Sequence, residues 1–405
     1  MRRAWRSCAL LLVVVATAIT PAMTADSAAT ELFKKARERV LANLARTPRY
    51  TCVENIVRAQ YVPASKTKVP GCAALIAARR QHQLPMEMLW RDRLHLDVAV
   101  VDGEEMFSWA GAGKFETDSL EKLVGTGSTG SGDFASFLTS VFRIGPDTVR
   151  YLGIQNDSAV FEYNVSLGRS HYTYSTRGRQ NIIGYGGSFH VDPADGELQR
   201  LTVETDAFPA GEQACQAIDV MDYHTVKIGS GEFMLPEVSS MNVLFQSGAE
   251  ARNETRYSDC REYVGESTIR FDDVETRAGT ADSKATLLPL PPGLRLQIAL
   301  SSPINGETAA AGDPVTGVVL RDVKKDKSSG VLVHEKDRVH GRILRIEQAF
   351  LPAPRWTVVL RFDTIERYGT EQPVMLEQVG ADEFHFPVHG ALALDSKFHS
   401  EWQTR

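Results

Sequence analysis

Alternation of apolar and polar residues is clearest between Arg91 and Trp109, where it predicts a β-hairpin. Every second position of its first strand is apolar, which is typical of a strand with one buried face: Leu94, Leu96, Val98 and Val100. Asp102-Gly103 follows and suits a two-residue type I′ turn, because both central residues of that turn need positive φ. Such a turn pairs Val98 with Phe107 and Leu96 with Trp109, so the apolar residues of both strands share one face.

Helical spacing of apolar residues appears in two segments. Thr30 to Leu44 reads as an amphipathic helix with Thr30 as its cap, and Pro48 ends it. Asp133 to Phe142 reads as a short helix with a strongly apolar face, capped by Asp133 or Ser131. Each helix is expected to cover an apolar face of a sheet.

The remaining pattern is that of short strands joined by turns. Tyr50–Tyr61 is a first strand, and Val62–Pro85 reads as an irregular, proline-punctuated excursion. Hairpins follow from Val149 onward, with turns at Asn156-Asp157, Asp192–Gly196, Gly229–Gly231 and Gln246–Gly248. The fold class predicted is mainly β (β-rich α+β), with a curved antiparallel half-barrel sheet covered by helices.

The chain is expected to divide into four parts. Residues 1–25 read as a signal peptide, with arginines before an apolar run and a small-residue cleavage site. Residues 26–275 form the antiparallel domain, and the acidic, proline-rich residues 276–293 form a linker. Residues 294–405 alternate again and predict a second, small all-β barrel or sandwich.

Export changes the interpretation of the cysteines. No later stretch approaches the length of a transmembrane helix, so the mature protein is expected to be periplasmic or extracellular. Its four cysteines, Cys52, Cys72, Cys215 and Cys260, then predict two disulfides with three possible pairings. Closure of local loops favours Cys52–Cys72 and Cys215–Cys260.

Charge and motifs indicate no catalytic residue, cofactor or metal. The net charge of −6, without a basic stripe, argues against nucleic acid as a partner. Gly125–Gly130 matches GxGxxG but lacks a βαβ context, so it reads as a flexible linker or lid hinge. His385 and His389 stand too far apart on a strand to share one metal. Adjacent acids such as Glu104 and Glu105 read as solvated.

Apolar surface exceeds what a one-sided sheet needs. Six residues are candidates to line an apolar cavity, with core packing as the open alternative: Leu96, Val98, Phe107, Trp109, Phe134 and Phe137.

The first part of the chain resembles the periplasmic lipoprotein-carrier class typified by LolA, LolB and the amino-terminal domain of RseB. Three stretches carry the likeness: ELFKKARERVLANLARTPRYTCVENIVRAQY, VVDGEEMFSW and GSFHVDPADGELQRLTVETD. The resemblance implies a half-barrel that holds acyl chains or lipoproteins in an apolar cavity. YTCVE and DFASFL are also similar to stretches of uncharacterised secreted bacterial proteins.

The second part is faintly similar to the β-barrel domain of type IV secretion outer-membrane scaffolds. The similar segments are LPPGLRLQIALSSPINGETAAAGDPVTGVVLRDV and GVLVHEKDRVHGRI. This likeness implies contact with an envelope protein partner.

Three functions follow as hypotheses. The first is an exported, envelope-associated binding protein that holds an apolar or lipidic ligand, or a protein segment, without turning it over. The second is a structural or interaction module of the cell envelope. The third is a secreted hydrolase, which requires acids converging in a cleft.

Overall fold

The computed structural model describes residues 22–64, 71–112, 114–115, 120–143, 145, 148–176, 179–209, 211–263, 289–388 and 391–405. This part of the chain is mainly β, with large-scale antiparallel pairing and few helices, which confirms the predicted fold class. Residues 1–21 of the predicted signal peptide, residues 276–288 of the predicted linker and His389 lie outside the described residues.

Four α-helices lie in the described chain: α1 (Ala22–Arg46), α2 (Gly71–Arg80), α3 (Leu120–Val124) and α4 (Ser136–Phe142). The predicted apolar face of α1 is confirmed, because Phe33, Ala36 and Val40 are buried. The sequence did not predict α2, which lies within the stretch interpreted as irregular and buries Leu75.

The first part of the chain contributes twelve strands: β1 (Tyr50–Pro63), β2 (Met86–Val101), β3 (Glu104–Trp109), β4 (Val149–Gln155), β5 (Ser158–Val165), β6 (Thr173–Thr176), β7 (Arg179–Ile182), β8 (Tyr185–Val191), β9 (Leu198–Thr205), β10 (Ala214–Ile228), β11 (Gly231–Phe245) and β12 (Glu250–Glu262). Ten of them pair antiparallel in the order β3-β2-β1-β12-β11-β10-β9-β8-β5-β4. β6 and β7 form a separate hairpin.

The hairpin of β2 and β3 has the register that the sequence predicts. Leu96 pairs with Trp109 and Val98 with Phe107. Asp102 and Gly103 have φ of 55° and 88°, as a type I′ turn requires. The agreement is expected, because the alternation and the turn dipeptide both act over a few neighbouring residues.

The second part contributes β13 (Arg295–Leu300), β14 (Ile304–Asn305), β15 (Pro314–Val319), β16 (Val323–Lys324), β17 (Val331–Val333), β18 (Arg338–Ala349), β19 (Arg355–Arg367), β20 (Thr370–Pro373), β21 (Leu376–Gln378), β22 (Phe384–Pro387), β23 (Ala393–Leu394) and β24 (His399–Thr404). It buries a core of its own, centred on residues such as Trp402 and Phe362. Hydrogen bonding is nevertheless continuous between the two parts, because Trp90–Asp92 of β2 pair with Glu347–Ala349 of β18. The division into separate domains therefore stays a prediction.

The disulfides differ from the favoured pairing. Cys52 bonds to Cys260, with Cα atoms 4.1 Å apart, and Cys72 bonds to Cys215, with Cα atoms 5.1 Å apart. The local-loop argument was wrong because β1 pairs with β12, the last strand of the first part, and this places Cys52 beside Cys260. The second disulfide also joins segments that are distant in sequence. Cys72 lies on α2, and α2 packs on β10, which carries Cys215.

Two apolar cores occupy the covered face of the first sheet. α1 and α4 pack over β5, β8, β9 and the adjoining parts of β10 and β11. The β2–β3 hairpin, α3 and Phe134 build a second core with β1. Between these two cores, the glycine-rich segment of residues 125–132, called here the roof segment, lies over the sheet.

Candidate functional site

A cavity of about 1050 Å³ lies beneath the roof segment, and this volume matches sites that bind small molecules. Its floor is formed by β1, β10, β11 and β12, and its sides by α4 and the β6–β7 hairpin. Many of the lining residues carry hydrogen-bonding side chains, among them Glu54, Asp133, Tyr172, Asp219, Ser239, Asn253, Thr255 and Tyr257.

The roof segment is held at two backbone carbonyls. Arg58 donates from Nη1 to the Thr126 carbonyl oxygen at 2.6 Å, and Asn253 donates from Nδ2 to the Ser128 carbonyl oxygen at 2.9 Å. Gly127 has φ of +80°, and a Cβ there would lie 2.9 Å from Arg58 Nη1. The roof thus needs glycine where its backbone crosses a buried side chain.

Arg58 is itself a buried cation with a buried partner. Its side chain is 2% exposed, and its guanidinium donates to both carboxylate oxygens of Asp92, at 2.9 and 2.5 Å. Such a bidentate pair is geometrically rigid, since two parallel N–H···O bonds orient both groups. The pair therefore gives the roof segment a firm attachment to the sheet.

Glu54 is the most deeply buried acid of the cavity. It lies on the inner face of β1, where residues alternate between buried and accessible positions, and it is 4% exposed. Within the described chain, its Oε2 atom has no hydrogen-bond partner. Burial raises the pKa of Glu54 well above its usual range, and the carboxyl groups of Glu105 and Asp133 raise it further.

Asp133 stands at the end of the roof segment. The predicted cap function is wrong, because no side chain caps α4, whose N-cap residue is Ala135. The Asp133 carboxylate instead accepts a hydrogen bond from the Tyr257 hydroxyl at 2.6 Å. Burial raises the pKa of Asp133, and hydrogen bonds from Ser239 and Tyr257 partly oppose the rise.

Glu105, on β3, binds the backbone on either side of Asp133. Its carboxylate accepts from the N–H of Gly132 at 2.9 Å and from the N–H of Phe134 at 3.3 Å. The expectation that Glu105 is solvated is therefore wrong. Burial raises its pKa to about 7, with the Asp133 carboxyl as the next cause, while the two N–H donors act in the opposite direction.

A fourth buried acid, Asp219, lies on β10. It is 8% exposed and accepts a hydrogen bond from the Tyr172 hydroxyl at 3.1 Å. Burial, reinforced by the charge of Asp133, raises the pKa of Asp219 to about 7. The four acids Glu54, Glu105, Asp133 and Asp219 are called the carboxyl cluster below.

Electrostatically, the carboxyl cluster is uncompensated. In the described part of the chain, the pKa values of its members are set by burial, by neighbouring carboxyl groups and by hydrogen bonds, and no cation lowers them. Among the described residues, no group of three or more His, Cys, Asp or Glu is arranged to hold a metal ion. The acids of the cluster can accept hydrogen bonds, pair with a positive charge and exchange protons.

The six residues predicted as an apolar cavity wall divide between two places. Phe137 lines the cavity. The other five are buried in the core beneath the β2–β3 hairpin: Leu96, Val98, Phe107, Trp109 and Phe134. That they bind a ligand stays a prediction.

The carboxyl cluster was not predicted from the sequence, although the alternation of residues along β1 and β10 indicates two of its members. Glu54 alternates in phase with the buried residues Cys52 and Ile56, so a strand at this point turns its acid to the inner face. Asp219 is likewise in phase with Ala217 and Met221. An ionisable side chain in the apolar phase of a strand points to a site, because such groups are seldom buried without a partner.

Comparison with known proteins gives little. No family model and no curated protein matches the chain. Among solved structures, a DUF1329 family protein from Desulfovibrio piger is similar at 8% identity, with 57% of this chain and 94% of that chain covered. Its TM-score of 0.16 is too low to support an inference about fold or function. The resemblance to lipoprotein carriers stays a prediction.

Two general features bear on location. The two disulfides are consistent with an exported protein, since disulfides persist in oxidising compartments. A search of the described helices finds none with the length and hydropathy needed to cross a bilayer.

Proposed function

We propose that this protein is an exported binding protein that holds a small polar molecule in the cavity beneath the roof segment. The observation that carries the proposal is the half-open cavity of about 1050 Å³, which lies between two apolar cores yet is walled by hydrogen-bonding side chains. Ligand sites combine a concave volume with a few polar groups that orient the ligand.

The polar wall decides between ligand classes. The sequence favoured an apolar or lipidic ligand, and an acyl chain in this cavity would contact the Glu54 and Asp219 carboxyl groups. Burying a polar group against hydrocarbon without a hydrogen bond costs about 1–3 kcal/mol in proteins. A polar ligand supplies the missing partners, so we place it ahead of the lipid.

Screening by thermal unfolding tests this proposal. The purified protein would be scanned against neutral, cationic and anionic small molecules, alongside Met241→Trp, which places an indole at the cavity wall beside Asp219 and Asn253. Ser258→Trp, at an exposed position of β12, is the control. A ligand at a hundred times its Kd should stabilise wild type and the control by about 2.7 kcal/mol.

The decisive comparison is between the two tryptophan variants. Stabilisation that survives in Ser258→Trp and disappears in Met241→Trp supports binding in the cavity. If nothing in the panel stabilises the wild type, or if Met241→Trp responds equally, the cavity is not a ligand site.

A second candidate function, hydrolysis of the bound molecule, is favoured by the convergence of Glu54 and Asp133 on one cavity. Glu54, with its raised pKa, would remain protonated as a general acid must, and Asp133 would act as the base. Chromogenic glycosides test this function. Turnover that Glu54→Gln abolishes would support it, and absence of turnover in the wild type would leave binding alone.

A further inference from the structure

We infer that the ligand of this cavity is an organic cation carrying an ammonium group, held by the carboxyl cluster with Glu54 as its principal partner. The inference rests on the proposed function, and it adds the chemical class of the ligand. Two independent observations carry it: the convergence of acids on one cavity and the buried, unpartnered oxygen of Glu54.

Three acids of the carboxyl cluster reach the cavity from three separate elements. Glu54 comes from β1, Asp133 from the end of the roof segment and Asp219 from β10. Glu105, on β3, lies behind them and is occupied by two backbone N–H groups. Carboxyl groups gathered in this way repel one another when ionised, so they favour a cation between them.

Glu54 is the member left without a partner. Asp133 and Asp219 each accept a hydrogen bond from a tyrosine hydroxyl, whereas Oε2 of Glu54 accepts none within the described chain. Buried acceptors in proteins are almost always paired, so the unpaired oxygen of Glu54, a residue that lines the cavity, calls for a donor that a ligand can supply. An ammonium group supplies three donors together with the compensating charge.

The surroundings also suit a cation. Tyrosines 172, 174, 185 and 257 line the cavity, and aromatic rings attract ammonium groups. A neutral polyol could donate to Glu54 but would leave the repulsion among the acids uncompensated. An anion would add to that repulsion, and the described residues offer no metal site.

Proton release on binding follows from this arrangement. Besides Glu54, Asp133 and Asp219, the titratable groups that line the cavity are the accessible Glu121, Lys122 and His171 and the tyrosines named above. Burial and mutual repulsion keep the carboxyl cluster partly protonated near neutral pH. A bound ammonium favours the ionised acids, so it displaces protons, and its affinity must rise as the pH rises.

A matched series of compounds with four methylene groups between their terminal groups tests the charge of the ligand. Butane-1,4-diamine, butane-1,4-diol and adipate have similar backbones and carry positive, zero and negative charge. Alongside them, butylamine and tetramethylammonium vary the size of the cation. Isothermal titration of the full chain should show the amines binding at least tenfold more tightly than the diol. It should also show binding at least tenfold tighter near pH 8 than near pH 5.5.

Variants assign the binding to the carboxyl cluster. Glu54→Gln keeps the shape of the side chain and should weaken amine binding at least tenfold near pH 8 and reduce the pH dependence. Glu254→Gln is the matched control, since Glu254 is exposed on β12 and should leave binding unchanged. Circular dichroism establishes that both variants are folded, and Asp219→Asn provides a second, independent loss of charge.

The possible failures are distinguishable. If the diol or another neutral compound binds at least as tightly as the amines, and Met241→Trp abolishes that binding, the cavity is a ligand site but the inferred charge is wrong. The inference is also overturned if Glu54→Gln and Asp219→Asn both bind the amines as tightly as the wild type does. If no cationic, neutral or anionic compound binds the wild type, the inference and the proposed function both fail.

Discussion

Replacing Asp219 by Asn should make the unfolding free energy, relative to wild type, rise as the pH rises. For most acids, whose pKa is lowered by folding, the same kind of substitution makes that difference fall. Burial raises the pKa of Asp219 to about 7 in the folded chain, whereas the unfolded chain keeps the ordinary value of 3.8. The folded state therefore binds more protons than the unfolded state between these two values. Stability contributed by this acid is present below its unfolded pKa and is lost as the pH rises through the folded pKa.

The expected size follows from the same values. A difference of about 3 pH units corresponds to about 4 kcal/mol, at about 1.4 kcal/mol per unit. Asn cannot ionise, and its amide oxygen can still accept the hydrogen bond from Tyr172. The unfolding free energy of the variant, measured relative to wild type, should rise by up to about 4 kcal/mol from acidic to alkaline pH.

Urea unfolding followed by tryptophan fluorescence, with the disulfides intact, measures this difference between about pH 4.5 and about pH 8.5. Glu254→Gln, the exposed control, should run parallel to wild type across the range. The reasoning is refuted if the difference between Asp219→Asn and wild type does not change with pH, or if it falls as the pH rises.

Two further predictions concern the framework, one at the roof segment and one where the second part of the chain contacts β2. Arg58→Met leaves the buried Asp92 carboxylate without its bidentate partner and should destabilise the protein by about 3–5 kcal/mol. The double variant Arg58→Met/Asp92→Leu should recover part of that loss in urea unfolding, and equal stability of the two variants would contradict the assignment. Gly312→Ala should lower the Tm by several degrees, because Gly312 has φ of +105° and the new Cβ would lie 2.0 Å from the His95 carbonyl oxygen. Gly330→Ala, where a Cβ meets open space, should leave the Tm unchanged in the same scans.

Elements encoded over a few residues were predictable. The β2–β3 hairpin has the predicted pairing, and the predicted turn at Asn156-Asp157 joins β4 and β5, with both residues at positive φ. The apolar face of α1 is also as predicted. Alternation, turn chemistry and helical spacing each depend on near neighbours, so they can be read before any long-range contact is known.

Glycine and acid residues were interpreted less well, because their environment comes from distant segments. The GxGxxG stretch was read as a linker or lid hinge, and it lies over the cavity, where Arg58 and Asn253 hold it. Glu105 was read as solvated, yet it binds the N–H groups of Gly132 and Phe134. Neither contact is visible until the sheet brings these segments together.

By itself, the sequence determined the β-rich class, the antiparallel hairpins and the apolar residues that the β2–β3 hairpin and α1 turn inward. Tertiary structure decided which cysteines bond, because β1 pairs with a strand that follows it by about two hundred residues: Cys52 and Cys260 are separated by 208 positions. It also decided that Glu54, Asp133 and Asp219 share one cavity. The physical reason is the same in both cases. Local pattern sets the direction of a side chain, whereas its neighbours are set by strand pairings that no short stretch encodes.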